Sequence, residues 1–348
     1  MTEARSIDLA VIPGDGIGPE IITEAQRILT RACELENITV NPTHYKLGAE
    51  HWLETGETLP ESTMDALKQH DAILFGAIGA DPRSGKIPSG LIEREMLLKL
   101  RFAFDHYINL RPSRLYPGAV SPLANPGNID FVVVRELTGG IYFGEHILKE
   151  DTARDINDYS AEEIRRIMRQ AFKIAQGRGK KVTSIDKQNV LATSKLWRQV
   201  AEEVAKEFPD VTLEHQLVDS AAMIMITNPA RFDVVVTENL FGDILSDESS
   251  VLPGTLGVMP SASHSDQGPS MYEPIHGSAP DIAGQGIANP ISMILSVAMM
   301  LRDSFGETAG AEMIEEAVNQ TLNQGILTRD LGGQASTAEM TAAIIGNL

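Results

Sequence analysis

The sequence predicts an α/β protein, and two features carry that prediction. Short, β-branched, nearly continuous apolar runs recur along the 348 residues, and helical periods fall between them. Such runs suit strands covered on both faces, and their alternation with helices implies a sheet flanked by helices. A third observation agrees: 43% apolar and 22% charged residues are ordinary for a globular enzyme, with length enough for two domains or one large one.

Along the chain, "IDLAVI" (7–12) is the first expected strand, and "PGDGIGPE" turns it into a helix near 20–33, with Pro19 suited to the first turn. A helix near 62–70 precedes the strand "DAILFGAIG" (71–79), and "IDFVVVRE" (129–136) is the next buried run. The clearest helix is 161–176, where Ser160 and Glu163 form a capping box and Gly177 follows the last turn. Strands "KVTSID" (181–186), "VTLEHQLVD" (211–219) and "FDVVVTE" (232–238) alternate with a helix near 194–207. Helices near 288–304, 309–322 and 336–345 complete the chain. Segment 137–160 has no clean period; it reads either as an arm touching another subunit or as a surface loop with a hairpin.

A formal charge of −19, from 48 acidic and 29 basic residues, argues against a nucleic-acid partner, whose phosphates require a basic face, but not against a small anionic substrate. The single cysteine, Cys33, permits no intrachain disulfide. The N-terminal residues lack an apolar signal core, and the longest uncharged stretch, 282–301, is interrupted by Gly284, Gly286 and Pro290. The expected location is cytoplasmic.

The glycines of "GDGIGPE" resemble a dinucleotide fingerprint but place Pro19 where the third glycine belongs; a plain strand–turn–helix junction is the competing reading. "TENLFGDILSD" (237–247) follows a buried strand and, as a helix, puts Asp243 and Asp247 on one face. Two such carboxylates suit Mg²⁺ or Mn²⁺, or simply favour a helix dipole. Asp219, read as the end of a strand, would be a third acid at the sheet's carboxyl edge, or a helix cap. Arg101, Arg111 and Arg135 would bind a dicarboxylate through planar guanidinium groups, or form separate ion pairs. Lys187 and Tyr142, each at the end of an apolar or glycine-rich stretch, are candidates for moving protons, against surface charge and packing. "EPIHGSAPDIAGQGIANP" (273–290) allows close backbone approach to a phosphate, and Asp281 there can accept from two ribose hydroxyls.

Taken in order, "GDGIGPE", "NLRP", "VRELTGGIYFG", "FDVVVTENLFGDILSD" and "EPIHGSAPDIAGQGIANP" closely resemble the isocitrate/isopropylmalate dehydrogenase family of β-hydroxyacid oxidative decarboxylases, over almost the whole length. The resemblance implies that family's two-domain fold, a mixed twisted sheet flanked by helices and not a Rossmann fold. Its first domain would be 1–106 with 254–348 and would carry most of the NAD site. The second, 107–253, would carry the dimer interface, the arm at 137–160 and the metal and substrate residues. Arg101, Arg111 and Arg135 would hold malate carboxylates. Asp243 and Asp247, with Asp219 of a second copy, would surround Mg²⁺ or Mn²⁺, Asp219 and Asp243 also facing substrate. Lys187, also from the second copy, and Tyr142 would be catalytic, handling protons. The resemblance assigns the cofactor to Ile12, Glu93, Glu273, His276, Gly277, Ser278, Ala279, Asp281, Ile282 and Asn289.

Isocitrate-specific members commonly carry Ser-x-Asn-x-x-x-Arg, and the corresponding positions before Arg101 are Glu95 and Leu97. Leu97, Leu98 and a second copy's Val190 would form an apolar pocket for an isopropyl group, or the leucines form only a core stripe. The implied activity is NAD-dependent oxidative decarboxylation of 3-isopropylmalate to 4-methyl-2-oxopentanoate and CO2 in leucine synthesis, by a homodimer with shared sites. Alternatives are a dehydrogenase of malate or tartrate, and a non-catalytic ligand-binding protein on the same fold. A metal-dependent phosphohydrolase would use the aspartates but leave "HGSAPD" unexplained.

Overall fold

The computed structural model describes residues 5–81 and 83–348. In chain order the regular elements are β1 (Arg5–Ile12), α1 (Gly18–Leu35), β2 (Ile38–His44), α2 (Ala49–Thr55), α3 (Glu61–Leu67), β3 (Ala72–Phe75), a π-helix (Glu93–Leu98) and α4 (Lys99–Ala103). Then come β4 (Ile108–Arg114), β5 (Asp130–Glu136), β6 (His146–Leu148), β7 (Ala153–Asp155), α5 (Ala161–Gln176), β8 (Lys181–Asp186), α6 (Ala192–Ala205), β9 (Thr212–Leu217) and α7 (Val218–Thr227). The last are β10 (Val234–Thr237), α8 (Asn239–Val251), β11 (Pro260–His264), β12 (Ser270–Pro274), α9 (Ile291–Asp303), α10 (Thr308–Asn323) and α11 (Thr337–Asn347).

The chain divides into two compact units. The first comprises the chain through Asp105, Tyr116–Val120 and Thr255–Leu348. Its strands follow the order β2-β1-β3-β12-β11, parallel except for the β11–β12 pair. Buried Ala10, Ile12, Ile73, Phe75, Met96 and Leu100 form one core on this sheet. Helix α9 is buried all round from Ile291 to Leu301, which accounts for the long uncharged stretch. Its serines serve the neighbouring strands: Ser296 Oγ donates to Glu273 O at 2.8 Å, and Ser292 Oγ donates to Met259 O. Strands β11 and β12, "PSASH" and "SMYEP", carry no apolar run, so their pairing is invisible to periodicity. Edge strand β2 escapes for the same reason, being polar and largely exposed.

The second unit comprises His106–Leu115 and Ser121–Gly254. Its order is β4-β5-β10-β8-β9, with β4 antiparallel to β5 and the rest parallel. Helix α5 buries Ile164, Ile167, Met168, Ala171, Phe172 and Ala175, a 3–4 spacing that gives it one apolar face, and its Ser160–Glu163 capping box is formed. Strands β6 and β7 make a hairpin inside the 137–160 segment. Two expected strand ends need correction. Strand β3 stops at Phe75: Gly76 N–H makes the last ladder bond, to Ile12 O at 2.8 Å, and the chain then leaves the sheet. Strand β9 stops at Leu217, so Asp219 stands in the first turn of α7 and not at a strand end.

Candidate active site

In the second unit, β5 delivers Arg135 to a buried position with 4% of its surface exposed. Helix α8 starts directly after β10, its end capped by Glu238, whose carboxylate accepts from Leu240 N–H at 3.2 Å and Phe241 N–H at 3.0 Å. The helix then presents Asn239, Asp243 and Asp247 at four-residue intervals on one face. Arg135 lies across that face: Nε and Nη2 donate to Asn239 Oδ1 at 3.1 and 2.9 Å, and Nη1 pairs with Asp243. Gly242 is required beneath it, because a Cβ there would collide with the arginine side chain. Tyr142 donates its hydroxyl to Asp243 Oδ2 at 2.6 Å, with the Arg135 guanidinium 5.4 Å from its ring centre. Arg111 Nη1 donates to Asp247 Oδ1 at 2.9 Å and Ser246 Oγ at 2.7 Å.

Electrostatics follow from this arrangement. Burial opposes ionisation of Asp243, but the Arg135 charge, the Tyr142 hydrogen bond and Arg111 outweigh it and hold the carboxyl below its ordinary range. Burial, then the Asp243 hydrogen bond and charge, push the Tyr142 phenol up to about 12, so it stays a proton donor. Lys187, just beyond β8, donates from Nζ to Asp219 Oδ2 at 2.7 Å, and this bond lowers the Asp219 pKa. Val190 is 66% exposed. Among the described residues no three His, Cys, Asp or Glu side chains gather as a metal site, so Asp219 does not join Asp243 and Asp247 within one chain.

A buried support that sequence reasoning missed lies behind Arg135. Asn239 Nδ2 donates to Gly139 O at 3.2 Å, and its backbone N–H donates to Tyr159 Oη at 3.0 Å. Tyr159 in turn donates to Glu136, which also accepts from Thr138 and Gly139 N–H. The signal was present only as one letter of "TENLFGD".

In the first unit, Gly14 and Gly16 have φ of +76° and +58°. A Cβ at either would overlap the carbonyl oxygen of Ala77 or Ser278, so only glycine fits this turn. Asp15 N–H donates to Ala77 O at 2.8 Å, Ile17 N–H to Ser278 O at 2.9 Å, and Ser278 Oγ to Gly79 O at 2.9 Å. These bonds join the first turn, residues 77–79 and the 276–289 loop. Beside them opens a cleft of ≈ 660 Å³ lined by Ile17, Leu256, His276, Gly277, Ala279, Ile282, Asn289 and Asp330, among others. Burial lowers the His276 pKa, keeping the ring neutral. Asn289 spends its Oδ1 on Ile291 N–H at 3.0 Å and one amide hydrogen on Asp330 at 2.9 Å. Asp281 is exposed and pairs with Arg83 Nη1 at 2.5 Å, and Arg83 is shared with Asp81.

Ile12, Glu93, Leu97, Leu98, Arg101 and Glu273 lie in the first unit. Ile12 is fully buried in β1 and offers no side-chain surface to a ligand. Glu273 is buried against Arg101, Oε1 to Nη2 at 2.6 Å, while Arg101 Nε is buried without a partner among the described residues. Glu93 is exposed at the start of the π-helix. That helix, with its widened turn, is a common device at functional positions. It leaves Leu97 and Leu98 half-buried, Leu97 packing on the core of Ala10 and Phe75.

The family model described as isocitrate/isopropylmalate dehydrogenase matches residues 8–344. The chain belongs to that family. A 3-isopropylmalate dehydrogenase from Streptococcus thermophilus is 68% identical over 98% of this chain and 99% of that protein. One from Lactococcus lactis is 57% identical over 97% of this chain and 98% of its own length. Among solved structures, an isocitrate dehydrogenase from Methylococcus capsulatus superposes with TM-score 0.88 at 35% identity, covering 98% of this chain and 99% of that one. Family membership makes the chain a dehydrogenase with this family's mixed-sheet α/β fold. Among the described residues no helix is long and apolar enough to cross a membrane.

Proposed function

We propose that the chain catalyses oxidative decarboxylation of 3-isopropylmalate to 4-methyl-2-oxopentanoate and CO2, with NAD⁺ as hydride acceptor, in leucine biosynthesis. The observation that carries it is the convergence of Arg135 and Tyr142 on Asp243, one helical turn from the Arg111–Asp247 pair. Relatives 68% and 57% identical that are named for this reaction support the substrate, as does Leu97 where isocitrate readers commonly carry a polar residue.

The donor set fits a hard divalent cation: Asp243 and Asp247 offer carboxylate oxygens from successive turns of one helix, and Asp243 is held ionised. They would hold Mg²⁺ or Mn²⁺ together with Asp219 from a second copy. When bound, the cation supplies Lewis acidity that eases loss of the substrate hydroxyl proton. The first-unit cleft of ≈ 660 Å³, walled by Gly277, Ala279, Ile282 and Asn289 of the 276–289 loop, has room for the adenosine part of a dinucleotide. Asp281 and Ile282 would hold the adenosine ribose, and His276, Gly277, Ser278, Ala279 and Asn289 the rest of the loop contact, with Glu93 toward the nicotinamide.

Arg101, Arg111 and Arg135 bind and orient the two carboxylates. Arrival of a dianion with a divalent cation would conserve charge: Arg111 and Arg135 would trade Asp247 and Asp243 for substrate carboxylates as the two aspartates turn to the cation. Lys187 of a second copy takes the hydroxyl proton at Nζ, directly or through water. Tyr142, kept protonated at neutral pH, returns a proton to the carbon that loses CO2. Leu97 and Leu98, with Val190 of a second copy, exclude water from the isopropyl group. The domains proposed are 1–106 with 254–348 for the cofactor, and 107–253 for metal, substrate and the contact between copies in a homodimer.

NADH formation from 3-isopropylmalate, malate, tartrate and isocitrate, each with and without Mn²⁺, tests the reading. 3-Isopropylmalate should give the highest kcat/KM and require the cation. A preference for isocitrate or unsubstituted malate overturns it.

A further inference from the structure

Residues 276–289 leave the sheet after β12 and return as α9, so the ends of this loop are fixed, while its middle is held by local turn bonds (Ile282 N–H to Ala279 O at 3.1 Å, Gln285 N–H to Ile282 O at 3.2 Å, Gln285 Nε2 to Asp281 O at 2.8 Å) and by the exposed Asp281–Arg83 pair. Near its start, Ser278 is held through its carbonyl by Ile17 N–H and through its hydroxyl by Gly79 O. Beyond the middle, Gly284 and Gly286 stand in the left-handed region at φ of +73° and +64°. Their two N–H groups point the same way. Both donate to one carboxylate, that of Glu20: Gly284 to Oε1, and Gly286 to Oε2 at 3.2 Å. Glu20 sits in the first turn of α1 and is anchored by that helix, whose Ile21, Ile22 and Ala25 are buried. The side chain is therefore a rigid post carrying the far end of the loop.

We infer that Glu20 is a positioning residue for the dinucleotide: by binding Gly284 and Gly286 N–H it sets where Asp281 and Ile282 stand, and hence the affinity for the adenosine end. The inference rests on the reading above that 276–289 holds the cofactor. A carboxylate is needed because it accepts at both oxygens and bears charge, which strengthens each bond. A glutamine of the same shape accepts at one atom only and sets an N–H₂ donor against the other glycine's N–H. The loop then loses one tether and gains a repulsive contact, while the pairs at Asp243, Asp247 and Lys187 keep every partner.

Glu20→Gln in the intact protein is the test, with two readouts that a partly unfolded preparation leaves unchanged. KM for NAD should rise roughly ten-fold or more with kcat and the KM for 3-isopropylmalate within two-fold of their starting values. ADP-ribose, which keeps the adenosine end but lacks the nicotinamide, should weaken as a competitive inhibitor by a similar factor. Unchanged KM for NAD and unchanged inhibition by ADP-ribose overturn the inference. So does a fall in kcat with equal losses for both substrates, which marks a general structural role. Asp281→Asn run in parallel separates the two levels of the argument. If that variant leaves KM for NAD unaltered, the loop assignment itself is wrong. If it raises KM while Glu20→Gln does not, the loop reading stands and Glu20 does not position it.

Discussion

Replacing Asp281 by asparagine probes cofactor choice most directly, because it removes one charge and almost no volume. A carboxylate at 281 accepts from both ribose hydroxyls of NAD, and hydrogen bonds to a charged acceptor contribute about 1.5–3 kcal/mol each. Sequence alone finds no basic residue near Asp281, but the fold brings Arg83 to within 2.5 Å of it. That pair is exposed on both sides, 65% and 71%, so giving it up costs little. A net loss near ~2 kcal/mol lowers kcat/KM for NAD roughly 30-fold. With NADP the sign reverses. The neutral amide no longer repels the 2′-phosphate, a like-charge contact that costs several kcal/mol, and Arg83 is released to meet it. Initial rates of reduced-cofactor formation with each nucleotide should show NADP gaining as NAD falls. Adding Arg83→Ala should cancel most of the NADP gain and little of the NAD loss. Equal changes for both nucleotides, or a wild-type protein that uses both equally, would refute the assignment of Asp281 to the ribose.

Other perturbations address the second unit and the pocket. Leu97→Asn should lower kcat/KM for 3-isopropylmalate about ten-fold more than for malate, since burying a few methyl groups discriminates by about 1–3 kcal/mol; equal losses would make Leu97 core packing alone. Mixing an inactive Lys187→Ala chain with an inactive Asp243→Ala chain should restore activity in verified heterodimers, where one of two sites draws intact residues from both chains; no recovery argues against shared sites. Asp243→Asn should destabilise the protein at neutral pH by about 1–2 kcal/mol, a buried-pair cost reduced for the 35% exposure of the carboxylate. Because the folded Asp243 pKa is lowered, its contribution is complete above the unfolded value of about 3.9 and is lost as pH falls through the folded one. The difference in Tm between the two proteins should therefore close on acidification below about pH 4; a gap independent of pH removes Asp243 ionisation from the account.

The α/β class, the helix at 161–176 and the buried strands 130–136 and 181–186 were legible because burial imposes periodicity on the residues themselves. Strands β11 and β12 were not, because buried serine and backbone bonding to α9 replaced the apolar signal. Asp219 was misplaced by two residues, since "LVD" continues an apolar run across the point where the backbone turns helical.

The sequence by itself determined the fold class, the motif order that marks the family, and the inventory of acids, arginines, lysine and tyrosine available for chemistry. Tertiary structure alone decided which of them meet: Arg135 with Asp243 across 108 positions, Arg101 with Glu273 across 172, and Glu20 with Gly284 across 264. It also buried the Ile12 side chain in β1 and gave Asp281 a cation. The reason is physical. Local propensity acts between neighbours in the chain, whereas ion pairs and hydrogen bonds depend on separation in space over a few ångströms, and only folding fixes that separation.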